Sequence, residues 1–321
     1  MKPNPDAVMT RRQALVAAAA LTAAACPETT PVTSVAQDVW TDAANDIAQG
    51  DGPGTEDAEP EVSTPTDVAA ADVAPPQPDA STDASTDVPW LTGGTAAITP
   101  TMFRDPFADG AGGASCELTC SQMLGPCFAP SLERRDISGA IPGLPTRLSL
   151  RVVDAVTCQP VADVEVEVWA CDLEGVYSGQ TPSTMCSGSD PDARDENFMR
   201  GWQRTDADGR VDFDMVFPGW YPGRAPHLHL QMRRGGDDWL TTQLYVHDEL
   251  ANDVYANQPD YSGRGPHDTS LTKDGIAPKG EAVAPYVVQA EKTPDGALLT
   301  WLPMALRASL DDPLCVANAP G

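Results

Sequence analysis

PGWYPGRAPHLHLQM, residues 218–232, holds two of the chain's four histidines, one residue apart. Read as a strand, the HLHLQM run sends alternate side chains to opposite faces. His227, His229 and Gln231 then share one face, and Leu228, Leu230 and Met232 the other. Two imidazoles about 7 Å apart along a strand can converge on one metal ion. The turn-rich PGWYPGR just upstream brings a phenol, Tyr221, and a guanidinium, Arg224, up to that strand. A second phenol, Tyr177, stands in CDLEGVYSG, after another strand-like run. Phenolate and imidazole together suit a hard, oxidised metal, Fe(III) above all, whose charge depresses the tyrosine pKa.

The two-residue period continues on both sides. Val164, Val166 and Val168 alternate with Glu165 and Glu167, which reads as one buried and one wet face. GRVDFDMVF places Val211, Phe213 and Met215 inside, and TRLSLRVVDA, WLTTQLYV, APYVVQAE and GALLTWLPMAL supply further strands. DADG (206–209) and PDG (294–296) read as the turns between them. DADG lacks the further spaced carboxylates of a calcium loop, so it is a turn and not a site. No long amphipathic helix with capping signals stands out. Many short strands joined by turns predict an all-β domain, a β-sandwich of mostly antiparallel strands with long loops.

Composition narrows the function. The 321 residues carry 47 Asp and Glu against 20 Lys and Arg, a net charge of −27, which opposes binding to nucleic acid or docking on anionic lipid by charge. Residues 1–26 read as an export signal. Arg11 and Arg12 precede the apolar run Ala14–Ala25, which is too short for a membrane span, and the adjacent arginines suggest the twin-arginine route. Cys26 follows three alanines and resembles a lipoprotein cleavage site, although Ala23 stands where Leu is usual. Residues 27–100 have no Lys or Arg and few large apolar groups, and read as a disordered acidic tether. Residues 101–321 are long enough for one core. The predicted location is periplasmic or cell-surface, with a lipid on Cys26 as the membrane link. Seven cysteines follow Cys26, an odd number, so at least one stays free or pairs between chains. Cys171 and Cys186, which bracket a loop, are the expected pair. The sequence leaves the oligomeric state open.

The chain resembles the intradiol ring-cleavage dioxygenases, a family that includes protocatechuate 3,4-dioxygenase and catechol 1,2-dioxygenase. The resemblance runs from about Gly125 to Asp248. It is carried, in order, by GPCFAPSLERRDI, LRVVDAVTCQPVADVEVEVWACDLEGVYSG, TDADGRVDF, PGWYPGRAPHLHL and TTQLYV. It implies a non-haem Fe(III) held by Tyr177, Tyr221, His227 and His229. Arg224 would face the substrate, with Gln243 beside the same pocket and Tyr221 also acting as a catalytic base. The implied reaction opens an aromatic diol between its two hydroxylated carbons with O2, giving a cis,cis-muconate-type diacid. Cys127 stands where the family often has an aromatic residue, and could join a disulfide or alter substrate choice. Ala170 replaces a frequent His. Two other readings compete: a catalytically silent, surface-tethered β-sandwich used for binding, and a metal hydrolase, which lacks a nearby third His or carboxylate.

Overall fold

The computed structural model describes residues 88–108, 116–188 and 190–317. The segment read as an export signal, Cys26 and most of the segment read as an acidic tether lie outside the described residues. Among the described residues eight strands are present: β1 (Pro145–Asp154), β2 (Glu165–Trp169), β3 (Arg200–Arg204), β4 (Arg210–Val216), β5 (His227–Arg234), β6 (Asp237–Tyr245), β7 (Gln289–Lys292) and β8 (Leu298–Leu306). They form two four-stranded sheets, ordered β4-β1-β8-β7 and β3-β2-β5-β6. All pairings are antiparallel except β1 with β8.

Alternation explains the core. Leu148, Leu150 and Val152 of β1, Val211, Phe213 and Met215 of β4, and Leu302 and Met304 of β8 share one cluster with residues of the other sheet. The latter are Val164, Val166, Val168, Leu228, Leu230, Met232, Leu240 and Leu244. One face of each sheet is therefore apolar and meets the other in a common interior. On the outer face of the first sheet, Leu299 and Trp301 are covered by Met102, Phe103 and Phe107.

Several expectations shift. Glu167, predicted to be wet, is only 2% exposed. It faces Gln231 across β2–β5 and accepts a charge-assisted bond from Arg233 Nη1 at 2.7 Å. Burial is tolerated because the carboxylate is paired. Of APYVVQAE only Gln289 onward is strand, and Ala284–Tyr286 belong to a 3-10 turn, Gly280–Tyr286. An α-helix, α1 (Asp248–Asn257), follows β6 and buries Ala251, Val254 and Tyr255 at helical spacing. The folded domain also begins before residue 101. Trp90 is 6% exposed and sits in the main core, its Nε1 bonds Asp253, and Leu91 N–H bonds Gly296 O at 2.9 Å. Residues 88–100 therefore belong to the packed domain and not to the tether.

Candidate metal and substrate site

The outer face of β5 carries the site. Register places His229 beside Trp169 of β2 on one side and Gln243 of β6 on the other, and His227 beside Tyr245. The His229 ring stacks on the Trp169 indole, with centroids 5.1 Å apart and planes within 6°. The two imidazoles lie edge to face at 5.0 Å. His227 Nδ1 is bound to the Ala225 carbonyl at 2.7 Å, which fixes the tautomer and turns Nε2 outward. Nε2 meets Tyr221 Oη at 3.1 Å and Tyr177 Oη at 3.5 Å. His229 Nδ1 is buried without a hydrogen-bond partner.

The phenols arrive on two loops. Tyr177 follows β2 through a turn in which Gly175 N–H bonds Asp172 O, and Tyr177 N–H bonds Cys186 O at 2.7 Å. Tyr221 follows β4 in the run Phe217–Arg224. The loops touch backbone to backbone at two glycines. A Cβ on Gly175 (φ +84°) would collide with the Trp220 carbonyl, and one on Gly219 with the Asp172 carbonyl. Close approach of the two tyrosine-bearing loops therefore requires glycine at both points. Gly125, of the GPCF motif, has φ +79°, and a Cβ there would lie 2.6 Å from His229 Cε1. The 123–125 segment thus lies over the second histidine.

Arg224 joins these parts. Its Nε donates to Asp274 at 2.9 Å, its Nη2 to Gln243 Oε1 at 2.6 Å, and its Nη1 approaches Tyr221 Oη at 3.4 Å. Gln243 is fully buried, donates to Met123 O and also receives Tyr245 Oη, so both ends of its amide are engaged by protein partners. The structure thus brings together all six residues singled out: Tyr177, Tyr221, Arg224, His227, His229 and Gln243.

Two residues that sequence reasoning missed complete the frame. Asp274 lies behind Arg224 and pairs with its guanidinium. Arg200 is fully buried on β3. Its Nε bonds Ser178 Oγ at 3.0 Å, Nη1 bonds Ala129 O at 3.0 Å, and Nη2 bonds the Ser178 and Cys127 carbonyls. One guanidinium thereby clamps the Tyr177 loop to the GPCFAP segment. Burial lowers its pKa to about 10, with Glu167 and Tyr177 opposing that shift. The same two segments are joined by the Cys127–Cys186 disulfide. This corrects the expected Cys171–Cys186 pair: Cys171 is buried and free, and the other bridges are Cys116–Cys158 and Cys120–Cys315. The loop between Cys171 and Cys186 folds so that Cys186 meets a partner from a distant segment.

Burial sets the protonation of the donors. It drives His227 down to about 3 and His229 well below its usual value, so both imidazoles are neutral and carry lone pairs. Burial also raises both phenols, with Tyr221 adding to the rise at Tyr177. Such phenols become phenolates only beside a strong positive charge. Two phenols and two neutral imidazoles, one of them with an unpartnered ring nitrogen, fit a hard trivalent cation. Among the described residues no three His, Cys, Asp or Glu side chains gather into a metal-binding group, which a zinc hydrolase would use.

Comparison with known proteins agrees with this geometry. No protein-family model matches the chain. It is 28% identical over 150 residues to a catechol 1,2-dioxygenase of Candida albicans, covering 40% of this chain and 46% of that protein. It is 27% identical over 212 residues to a hydroxyquinol 1,2-dioxygenase of Corynebacterium glutamicum, covering 57% and 60% respectively. The chain spans about half the length of the curated relatives it matches. An intradiol ring-cleavage dioxygenase from Tetranychus urticae superposes with a TM-score of 0.52 at 25% identity, covering 60% of this chain and 95% of that one. Within this chain the paired histidines on β5 and the two tyrosine-bearing loops converge on one site. Over these stretches the chain is similar to intradiol ring-cleavage dioxygenases.

Proposed function

We propose that this protein is an exported, non-haem Fe(III) enzyme that opens an aromatic diol between its two hydroxylated carbons. Both atoms of O2 enter the product, so a catechol becomes a cis,cis-muconate-type diacid with two more oxygens and the same carbons and hydrogens. The observation that carries the reading is the convergence of both tyrosine hydroxyls on His227 Nε2, whose other nitrogen is tied to Ala225. Tyr177, Tyr221, His227 and His229 would hold the metal, and the two sheets would pack as a sandwich beneath it.

Iron(III), when bound, acts as a Lewis acid that draws electron density from the diol. The remaining work belongs to the chain. Tyr221 is the less enclosed phenol, and its Oη is the atom that accepts a proton from the entering diol. Arg224 Nη1, beside that Oη, stabilises negative charge as it develops on the ring, a preorganised electrostatic role. Gln243 holds Arg224 in place. Trp169 and Phe128, packed edge to face at 5.2 Å, keep water from the His229 side.

Three disulfides in the described domain support export, since such bonds persist in oxidising compartments. Cys26 would anchor the protein through lipid. Cys26→Ser should then move it from the membrane to the soluble fraction, and a wild-type protein with no lipid mass on its N-terminus would refute the anchor.

Iron loading tests the main reading. The loaded protein should show a visible tyrosinate-to-iron band, consume O2 with catechol and release a muconate-type diacid. His227→Ala and Tyr177→Phe should lose the metal or the band. A colourless iron-loaded wild type, or full iron and unchanged colour in His227→Ala, would overturn the ligand set.

A further inference from the structure

Arg264 sits in the turn that follows α1. Its amide bonds the Tyr261 carbonyl at 3.0 Å, and the Tyr261 amide bonds Gln258 O at 3.1 Å. Gln258 and Tyr261 are buried, and Tyr261 Oη donates to the Phe217 carbonyl at 2.5 Å. The backbone that carries Arg264 is therefore pinned to the start of the Tyr221 loop. From there the guanidinium reaches both tyrosine-bearing loops. Nη1 donates at 2.8 Å to the carbonyl of Leu173, on the way to Tyr177. Cζ lies 4.4 Å from the ring centroid of Trp220, the residue before Tyr221. A Cβ on Gly175 would lie 3.0 Å from Nη2, so the fork also covers the glycine at which the loops touch.

The loops also bond each other. Gly219 N–H donates to Asp172 O at 3.2 Å, a carbonyl that already accepts Gly175 N–H at 3.0 Å. That bond lies at the long end of the usual range and shares its acceptor. The two glycines allow close approach but bring backbone freedom with it. A planar guanidinium suits such a contact, because its edge donates to a carbonyl while its face stacks on an aromatic ring. The neighbours of Arg264 follow the same loop: Tyr255 Oη donates to Pro218 O at 3.0 Å, and Asp268 accepts the Gly223 amide at 3.2 Å. The Tyr221 phenol itself is left to His227 and Arg224.

We propose that Arg264 is a positioning residue that clasps the Tyr177 and Tyr221 loops together. It thereby sets the separation of the two phenols, whose ring centroids stand 5.9 Å apart. The proposal rests on the iron-binding reading above, since the separation matters only where both phenols serve one metal.

The test uses the full-length protein, first without iron, by amide hydrogen exchange. The Gly175 and Gly219 amides, which share the Asp172 carbonyl, should be protected in wild type. In Arg264→Met, which keeps an unbranched stem and removes the fork, both should lose protection while the amides of β2 and β5 stay slow. The iron-loaded protein is then read by its visible band and by steady-state kinetics with catechol. Arg264→Met should keep iron and shift the band, with kcat about 10²-fold lower, as a misplacement of about 1 Å can cause, and with little change in KM. Arg264→Lys supplies a point charge in place of the fork, and should recover the unfolding midpoint but neither the band nor kcat. Unchanged protection or an unchanged band in a folded Arg264→Met overturns the proposal. If that variant fails to fold, Arg264→Lys decides, and a wild-type band and kcat there overturn it. A colourless iron-loaded wild type fails the ligand reading instead, and the exchange result, obtained without metal, keeps the two failures distinct.

Discussion

At the scale of single residues, the proposed ligands are distinct from the groups that aim them. Arg224 cannot ligate a metal, because its guanidinium stays protonated. Arg224→Ala should therefore keep iron and colour and still bind a diol, while turnover falls about 10²–10³-fold, as loss of one preorganised donor does. Steady-state kinetics beside the visible spectrum check this, and near-normal turnover would remove Arg224 from the chemistry. Gly175→Ala should destabilise the fold by about 1–3 kcal/mol, read from a denaturant midpoint, because it forces an L side chain into a left-handed conformation. The collision with the Trp220 carbonyl should also part the two phenols and shift the visible band. The HxH spacing made the histidines legible, since strand geometry alone puts them on one face. Asp274 was not legible: KDG reads as an ordinary turn, and only the fold reveals that its carboxylate lies behind Arg224. Arg200 was equally silent, because most of its partners are backbone carbonyls, which have no sequence signature.

At the scale of elements, strands with a buried face were readable and connections were not. β1, β4, β5, β6 and β8 follow from alternation, because one side of each faces a common core. β7 and α1 are short and weakly patterned: β7 is held by its antiparallel ladder with β8, and α1 by burial of Ala251, Val254 and Tyr255. Disulfide pairing failed as a sequence inference because nearness along the chain is a poor guide to nearness in space. The Cys127–Cys186 bridge closes a 59-residue separation and ties the Tyr177 loop to the segment over His229. By chain entropy its removal costs about 4 kcal/mol, and measured losses run about 2–5 kcal/mol. A Cys127→Ser, Cys186→Ser double variant should show that drop in a denaturation midpoint, together with a broadened visible band. An unchanged band would mean that Arg200 alone suffices to place the loop.

At the scale of the whole molecule, composition shows the acidic character, while the packing of Trp90 puts the start of the folded domain earlier than the expected residue 101. Trp90 is the reason: a single large side chain in a polar stretch carries little periodicity, yet it fills the core and is met by Asp253 and Lys292. A chain beginning at residue 88 should be as stable as the full protein. One beginning at residue 101 should lose about 3–5 kcal/mol, the usual penalty for deleting a buried aromatic group, and thermal unfolding of the two truncations would decide it. Cys120 and Cys315 lie 195 positions apart and are bonded to each other, so the covalent path through this domain is a ring. A protease that cuts once between them severs the polymer without separating it. On an unreduced gel such a nicked protein should run as one species, and only thiol treatment should resolve the two pieces. A first cut therefore leaves the segment that carries His227 and His229 tied covalently to its complement.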